Sequence, residues 1–103
     1  MKFLTIARPG PMPPPADVVR AAQQWLRERR DDGTFECVYG FVEGGGLGVG
    51  NADSVERQMD LMLEYPLAPF VQYEVHPLVE PDDGFERLLA MLDRVAAQMP
   101  QAG

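Results

Sequence analysis

"EYPLAPFVQYEVHPLVE", residues 64–80, is the stretch whose reading decides the fold. Glu64 and Tyr65 close a helical pattern, and Pro66 and Pro69 then bar helix. From Phe70 the chain alternates as a strand does. Val71, Tyr73 and Val75 share one parity; Phe70, Gln72, Glu74 and His76 share the other. A row holding an amide, a carboxylate and the only histidine of the chain is expected to face a cavity or a dimer interior.

Upstream of this stretch, Asp53 or Ser54 is expected to cap a helix, with Glu56 placed to complete a capping box from Asp53. Val55, Met59, Met62 and Leu63 are its predicted buried stripe. Downstream, residues 82–99 form a further helical pattern, with Phe85, Leu88, Leu89, Leu92, Val95 and Met99 on one side.

Residues 34–42, "TFECVYGFV", alternate as a strand. Phe35, Cys37, Tyr39 and Phe41 are expected to face the helices, and Thr34, Glu36, Val38 and Gly40 to face away. "EGGG" is a turn and "LGVGN" a short return strand. At the N-terminus, residues 2–8 read as a strand. Residues 9–15, "PGPMPPP", hold five prolines and form a stiff loop. A helix starts near Pro15 to Asp17, buries Val18, Val19, Ala22, Trp25 and Leu26, and stops before Gly33.

The order β-α-β-β-α-β-α predicts an α+β fold. It is the ferredoxin-like β-α-β-β-α-β pattern with an extra C-terminal helix on a four-stranded antiparallel sheet. We expect a single domain over 1–103, with a core over 1–80 and the C-terminal helix over 82–99. Both core helices cover one sheet face. The other face, with Leu4, Ile6, Glu36, Val38 and the polar row, is bare in a monomer and predicts a homodimer or higher homo-oligomer.

Length and composition agree with one domain. The chain has 103 residues, 46% of them hydrophobic, and a formal net charge of −7. That charge disfavours nucleic acid and anionic membrane as partners, since both call for clustered Lys and Arg. Cys37 is the only cysteine, so no disulfide or cysteine zinc cluster forms within the chain. No apolar run is long enough to cross a membrane, and "MKFLTIARPG" does not read as a signal peptide, so a cytoplasmic protein is expected. The glycines of "GGGLGVG" follow no phosphate-loop spacing.

"RRDDGTF" leading into a strand, followed by "NADSVERQMDLMLEYPLAPFVQYEVHPL", resembles the muconolactone isomerase family. The residues that carry the likeness are Pro66, Leu67, Pro69, Phe70, Glu74 and Val75, over roughly residues 1–80. The resemblance implies a dimeric ferredoxin-like α+β barrel and cofactor-independent proton shuttling on an unsaturated lactone acid. It also implies a carboxylate on the first helix, where this chain has Ala22 or Gln23, and bases on strand two, which has none. Arg8 is then the remaining anchor for a substrate carboxylate.

Among the residues themselves, His76 is the expected general acid or base, because imidazole titrates near neutral pH. Glu74, two residues away on the same face, would orient it. Tyr39 and Tyr73 would hold a developing oxyanion. Trp25, Phe35 and Phe41 would line an apolar pocket, with Arg8 and Gln72 completing substrate binding. No metal and no cofactor are called for. The expected activity is a cofactor-independent isomerase or cyclase acting on a small unsaturated, aromatic or polyketide-like metabolite. A cofactor-free oxygenase and a non-catalytic ligand-binding or assembly protein are the alternatives.

Overall fold

A computed structural model of the chain describes residues 1–99. The elements run β1 (Lys2–Pro9), α1 (Ala16–Asp31), β2 (Phe35–Gly40), β3 (Gly46–Asn51), α2 (Val55–Glu64), a single 3-10 turn (Ala68–Phe70), β4 (Val71–Leu78) and α3 (Pro81–Gln98). The sheet order is β2-β3-β1-β4, with every neighbouring pair antiparallel. This is the expected α+β ferredoxin-like arrangement with its additional C-terminal helix. β4 is an edge strand, where Pro77 is tolerated.

Register fixes the two faces. Phe3, Thr5 and Ala7 of β1 stand opposite Gly50, Gly48 and Gly46 of β3, and opposite Pro77, Val75 and Tyr73 of β4. These positions face the helices. Leu4 and Ile6 stand opposite Val49 and Leu47 on one side and His76 and Glu74 on the other. They make the open face. Phe3, Ala52 and Leu61 are buried together, with Trp25 and Val75 packed against them.

β2 departs from its sequence pattern. Phe35 is opposite Gly50, but Cys37 is opposite Val49, so Glu36 is an extra residue in the ladder. Such a bulge reverses the parity of the residues beyond it. Val38 turns to the helix side beside Gly48, while Cys37 and Tyr39 turn to the open face beside Val49 and Leu47. The expectation that Tyr39 faces the helices and Val38 the open side is therefore corrected. Glu36 itself is held on the open face by Lys2 Nζ at 3.1 Å and by Asn51 Nδ2 at 3.2 Å.

The buried stripe of α2 is also rotated from the one expected. Gln58 and Leu61 are buried, and Met62 and Tyr65 are half-buried. Val55, Met59 and Leu63 are 58–71% exposed. Ser54 is the cap, its Oγ accepting from Arg57 N at 3.1 Å, so Glu56 completes no capping box.

α3 buries none of its residues, and Phe85 is 63% exposed. The chain measures 71 × 30 × 25 Å, with a radius of gyration of 19.1 Å. A compact domain of this length has about 13 Å. The helix therefore extends from the body with its apolar stripe uncovered. Among the described residues, no helix is long and apolar enough to cross a membrane.

Candidate functional site

The helix-facing side of β3 is built of glycine. Gly46, Gly48 and Gly50 place no side chains there, which leaves room between the sheet and the two helices. At Gly50 a Cβ would lie 2.6 Å from Thr34 O, and at Gly46 one would lie 2.5 Å from Tyr39 O. Both positions are closed to larger residues. At Gly48 the nearest atom to a Cβ is the Phe35 ring at 3.5 Å, an ordinary contact. The space above forms a cavity of about 640 Å³, within the range of small-molecule sites.

Aromatic rings make one wall. Trp25 of α1 meets Phe35 edge-on, with centroids 5.9 Å apart, and Tyr65 at 5.4 Å. The proline loop closes the side above, with Pro11, Met12, Pro13 and Pro14 on the cavity. It is tied to the hinge by Gly10 N donating to Phe70 O over 2.8 Å. A Cβ at Gly10 would come 2.9 Å from that same oxygen, so the close approach requires glycine.

A few polar side chains interrupt this apolar lining. Gln58, only 5% exposed, reaches from α2 to β1, where its Nε2 donates to Thr5 Oγ1 over 2.7 Å. Tyr73 donates its hydroxyl to Met62 O at 2.8 Å. Tyr65 also lines the cavity, and its hydroxyl makes no hydrogen bond among the described residues. Burial pushes the phenols of both Tyr65 and Tyr73 up from the ordinary range, with Tyr65 adding to the rise at Tyr73. At neutral pH both are therefore proton-bearing hydroxyls, and Tyr65 is the one still free to donate.

Trp25, Phe35 and Tyr73 lie on the cavity as the sequence suggests. Tyr39 touches its rim, but the bulge turns its side chain to the open face, where it is 66% exposed. Arg8, Phe41, Gln72, Glu74 and His76 do not line it. Gln72 pairs with Arg8 in register, and His76 with Leu4, on the opposite face of the sheet. His76 Nε2 and Glu74 Oε2 do come together, at 3.2 Å, with both side chains about half exposed. The expectation of a cavity wall is thus corrected for this row: strand parity sends it away from the helices.

Sequence reasoning missed Gln58, Thr5 and Tyr65. The signal was present in α2 as the spacing Gln58, Leu61, Met62, Tyr65, a helical stripe with a polar residue at its head. Among the described residues, no three His, Cys, Asp or Glu side chains come together as metal ligands.

No family model matches the sequence, and no curated protein matches it. Solved structures do match. Muconolactone isomerase, solved at 3.3 Å, is similar with a TM-score of 0.64 and 26% identity, over 79% of this chain and 92% of that one. The 5-chloro-2-hydroxyhydroquinone dehydrochlorinase of Burkholderia phenoliruptrix AC1100, in complex with 2,5-dihydroxybenzoquinone, has a TM-score of 0.54 and 14% identity. That match covers 81% of this chain and 98% of the other; at such identity it bears on the fold alone.

Proposed function

Since the chain is muconolactone isomerase-like, we propose that it isomerises or cyclises a small unsaturated or aromatic compound bound in the helix-side cavity, without a cofactor. The observation that carries this reading is the cavity itself, an aromatic-walled space of about 640 Å³ lined by Tyr65, whose phenol has no partner among the described residues, and by the buried Gln58. Such donors act where charge develops. A substrate carbonyl that becomes an enolate gains negative charge on oxygen, and in our reading the Tyr65 phenol, on the cavity lining and without a partner among the described residues, donates to it. Donors that bind the enolate more strongly than the ketone accelerate its formation.

The proton carrier differs from the one the sequence nominates. Among the described residues, the ionisable side chains on the lining are tyrosines, with no carboxylate and no imidazole. In our reading the carbon-bound proton leaves to water at the open side of the cavity and returns from it, while Tyr65 holds the oxygen. Glu74 and His76 serve the open face instead. We propose that a second copy of the chain covers this face, making the dimeric barrel, because Leu4, Ile6, Leu47 and Val49 form an apolar strip on it.

The same lining favours a second reading, ligand binding without turnover, since it supplies donors and no strong base. One experiment separates the two. Wild type and Gly48→Val are incubated with cyclic enones, unsaturated lactones and polyhydroxylated aromatics, and both binding and product are followed. A Cβ at Gly48 makes only ordinary contact with the Phe35 ring, and the valine methyls beyond it take space from the floor of the cavity. Turnover by wild type that is lost in Gly48→Val supports catalysis in the cavity. Binding without product supports the second reading, oxygen consumption would indicate an oxygenase, and equal turnover by both proteins removes the cavity from the mechanism.

A further inference from the structure

We propose that the cavity selects an uncharged, flat aromatic ligand that carries a hydroxyl or carbonyl at one edge, and discriminates against a carboxylate of the same shape. The inference rests on the cavity being the ligand site, and narrows what that site accepts.

Charge comes first. Among the described residues, no Lys, Arg or His side chain lines the cavity. The guanidinium closest to the aromatic wall, Arg29, lies 5.8 Å over the Trp25 ring but pairs with Asp32, its Nε 3.1 Å from Oδ2. Arg8 stands on the other face of the sheet, opposite Gln72. A carboxylate entering the cavity would lose its water and find no cation, in a chain whose formal net charge is already −7. Burying an unpaired charge costs far more than burying a hydrogen-bonded neutral group.

Shape comes second. The sheet side of the cavity is the peptide surface at Gly46 and Gly48 with the Phe35 ring of β2 beside it, and the helix side carries Trp25 and Tyr65. A ring system fits between a flat strand and aromatic rings, where offset or edge contacts add to the burial of apolar area.

Polarity at one edge comes third. Gln58 is only 5% exposed, yet among the described residues its side chain makes one hydrogen bond, to Thr5. An amide carries two donor hydrogens and an accepting oxygen. The remaining N–H and the carbonyl are left for a partner; the carbonyl oxygen is not sealed from solvent, so a ligand that displaces water there must replace its hydrogen bond. A ligand hydroxyl both donates and accepts, and so suits the free N–H and the carbonyl of Gln58. A hydrocarbon would leave both unmet.

Calorimetry at neutral pH with naphthalene, 2-naphthol and 2-naphthoate tests this. 2-Naphthol should bind about tenfold more tightly than naphthalene, the worth of a hydrogen bond or two, and at least about tenfold more tightly than 2-naphthoate. Trp25, the only tryptophan of the chain, gives an independent fluorescence readout at the wall. Gln58→Leu should abolish the preference for 2-naphthol over naphthalene while leaving naphthalene binding intact. If that variant does not fold, Thr5→Val, which frees Gln58 from its present partner, should leave the preference intact or strengthen it. Binding of 2-naphthoate equal to or tighter than that of 2-naphthol overturns the inference and leaves the cavity as the site. Failure of all three probes, with Gly48→Val behaving as wild type, overturns the cavity reading as well.

Discussion

His76 Nε2 lies 3.2 Å from Glu74 Oε2, on the face of the sheet opposite the cavity. The two residues flank Val75, whose own side chain points to the helices against Phe3 and Leu61. One strand thus separates an acid–base pair from the cavity that holds the aromatic wall. His76→Ala should therefore leave affinity for a cavity ligand, and any turnover there, within about twofold of wild type. A general acid or base in contact with substrate would instead cost about 10²–10⁴ in rate. Steady-state kinetics on His76→Ala would decide, and a loss of that larger size would return the pair to the mechanism.

Tyr73→Phe removes the hydrogen bond to Met62 O, which joins the end of α2 to β4. The expected loss is about 0.5–1.5 kcal/mol, read from urea unfolding. The same residue sets an alkaline limit. Its folded pKa is raised by burial, so the native state keeps a proton that the unfolded chain releases from about pH 10. The stability this contributes is full below the unfolded pKa and is lost as pH rises through the folded one. Wild type should weaken above about pH 10, and Tyr73→Phe should weaken less steeply.

The strand and helix order was legible because hydrophobic periodicity and proline placement report on elements longer than a few residues. The hinge at Pro66 and Pro69, the turn before Gly46 and the parity of β4 are all local signals. Rotation was not legible. One extra residue, Glu36, exchanges the faces of Val38 and Tyr39, and no composition cue marks it. In α2 the apolar residues Val55, Met59 and Leu63 compete with Leu61 and Met62 for the core, and only the sheet underneath chooses between them. The candidate site inherits these errors: Trp25, Phe35 and Tyr73 were found, and Gln58 was overlooked because a polar residue on a helix ordinarily faces water.

Leu61 tests the small core directly. It is 4% exposed and shares its cluster with Phe3 and Ala52. Leu61→Ala should cost about 2–5 kcal/mol, while Leu63→Ala, two residues on and 71% exposed, should change stability by less than about 0.5 kcal/mol. Denaturant midpoints of the two variants compare them under one condition. Equal losses would mean that α2 is buried on both faces, as it would be if a second copy of the chain packed on its outer stripe.

α3 carries the last prediction. Phe85, Leu88, Leu89, Leu92 and Val95 recur at helical spacing, and each is 45–63% exposed. An apolar stripe of this length on a helix with no buried residue is unusual in a monomer. The inner face of the sheet offers it no place, since α1 and α2 already lie there. We expect the stripe to lie against a second copy of the chain, where it buries what it now exposes. Sedimentation at micromolar concentration should show a dimer or larger species and little of the 11.4 kDa chain. Truncation after Glu80, or Leu88→Glu with Leu92→Glu, should release monomer and lower the melting temperature, since burial of such side chains is worth up to about 1.5–3 kcal/mol each. The loss should depend on protein concentration in wild type, because association is linked to folding by mass action. A truncated chain that sediments and melts as the full chain does would show that α3 contributes nothing to assembly or to stability.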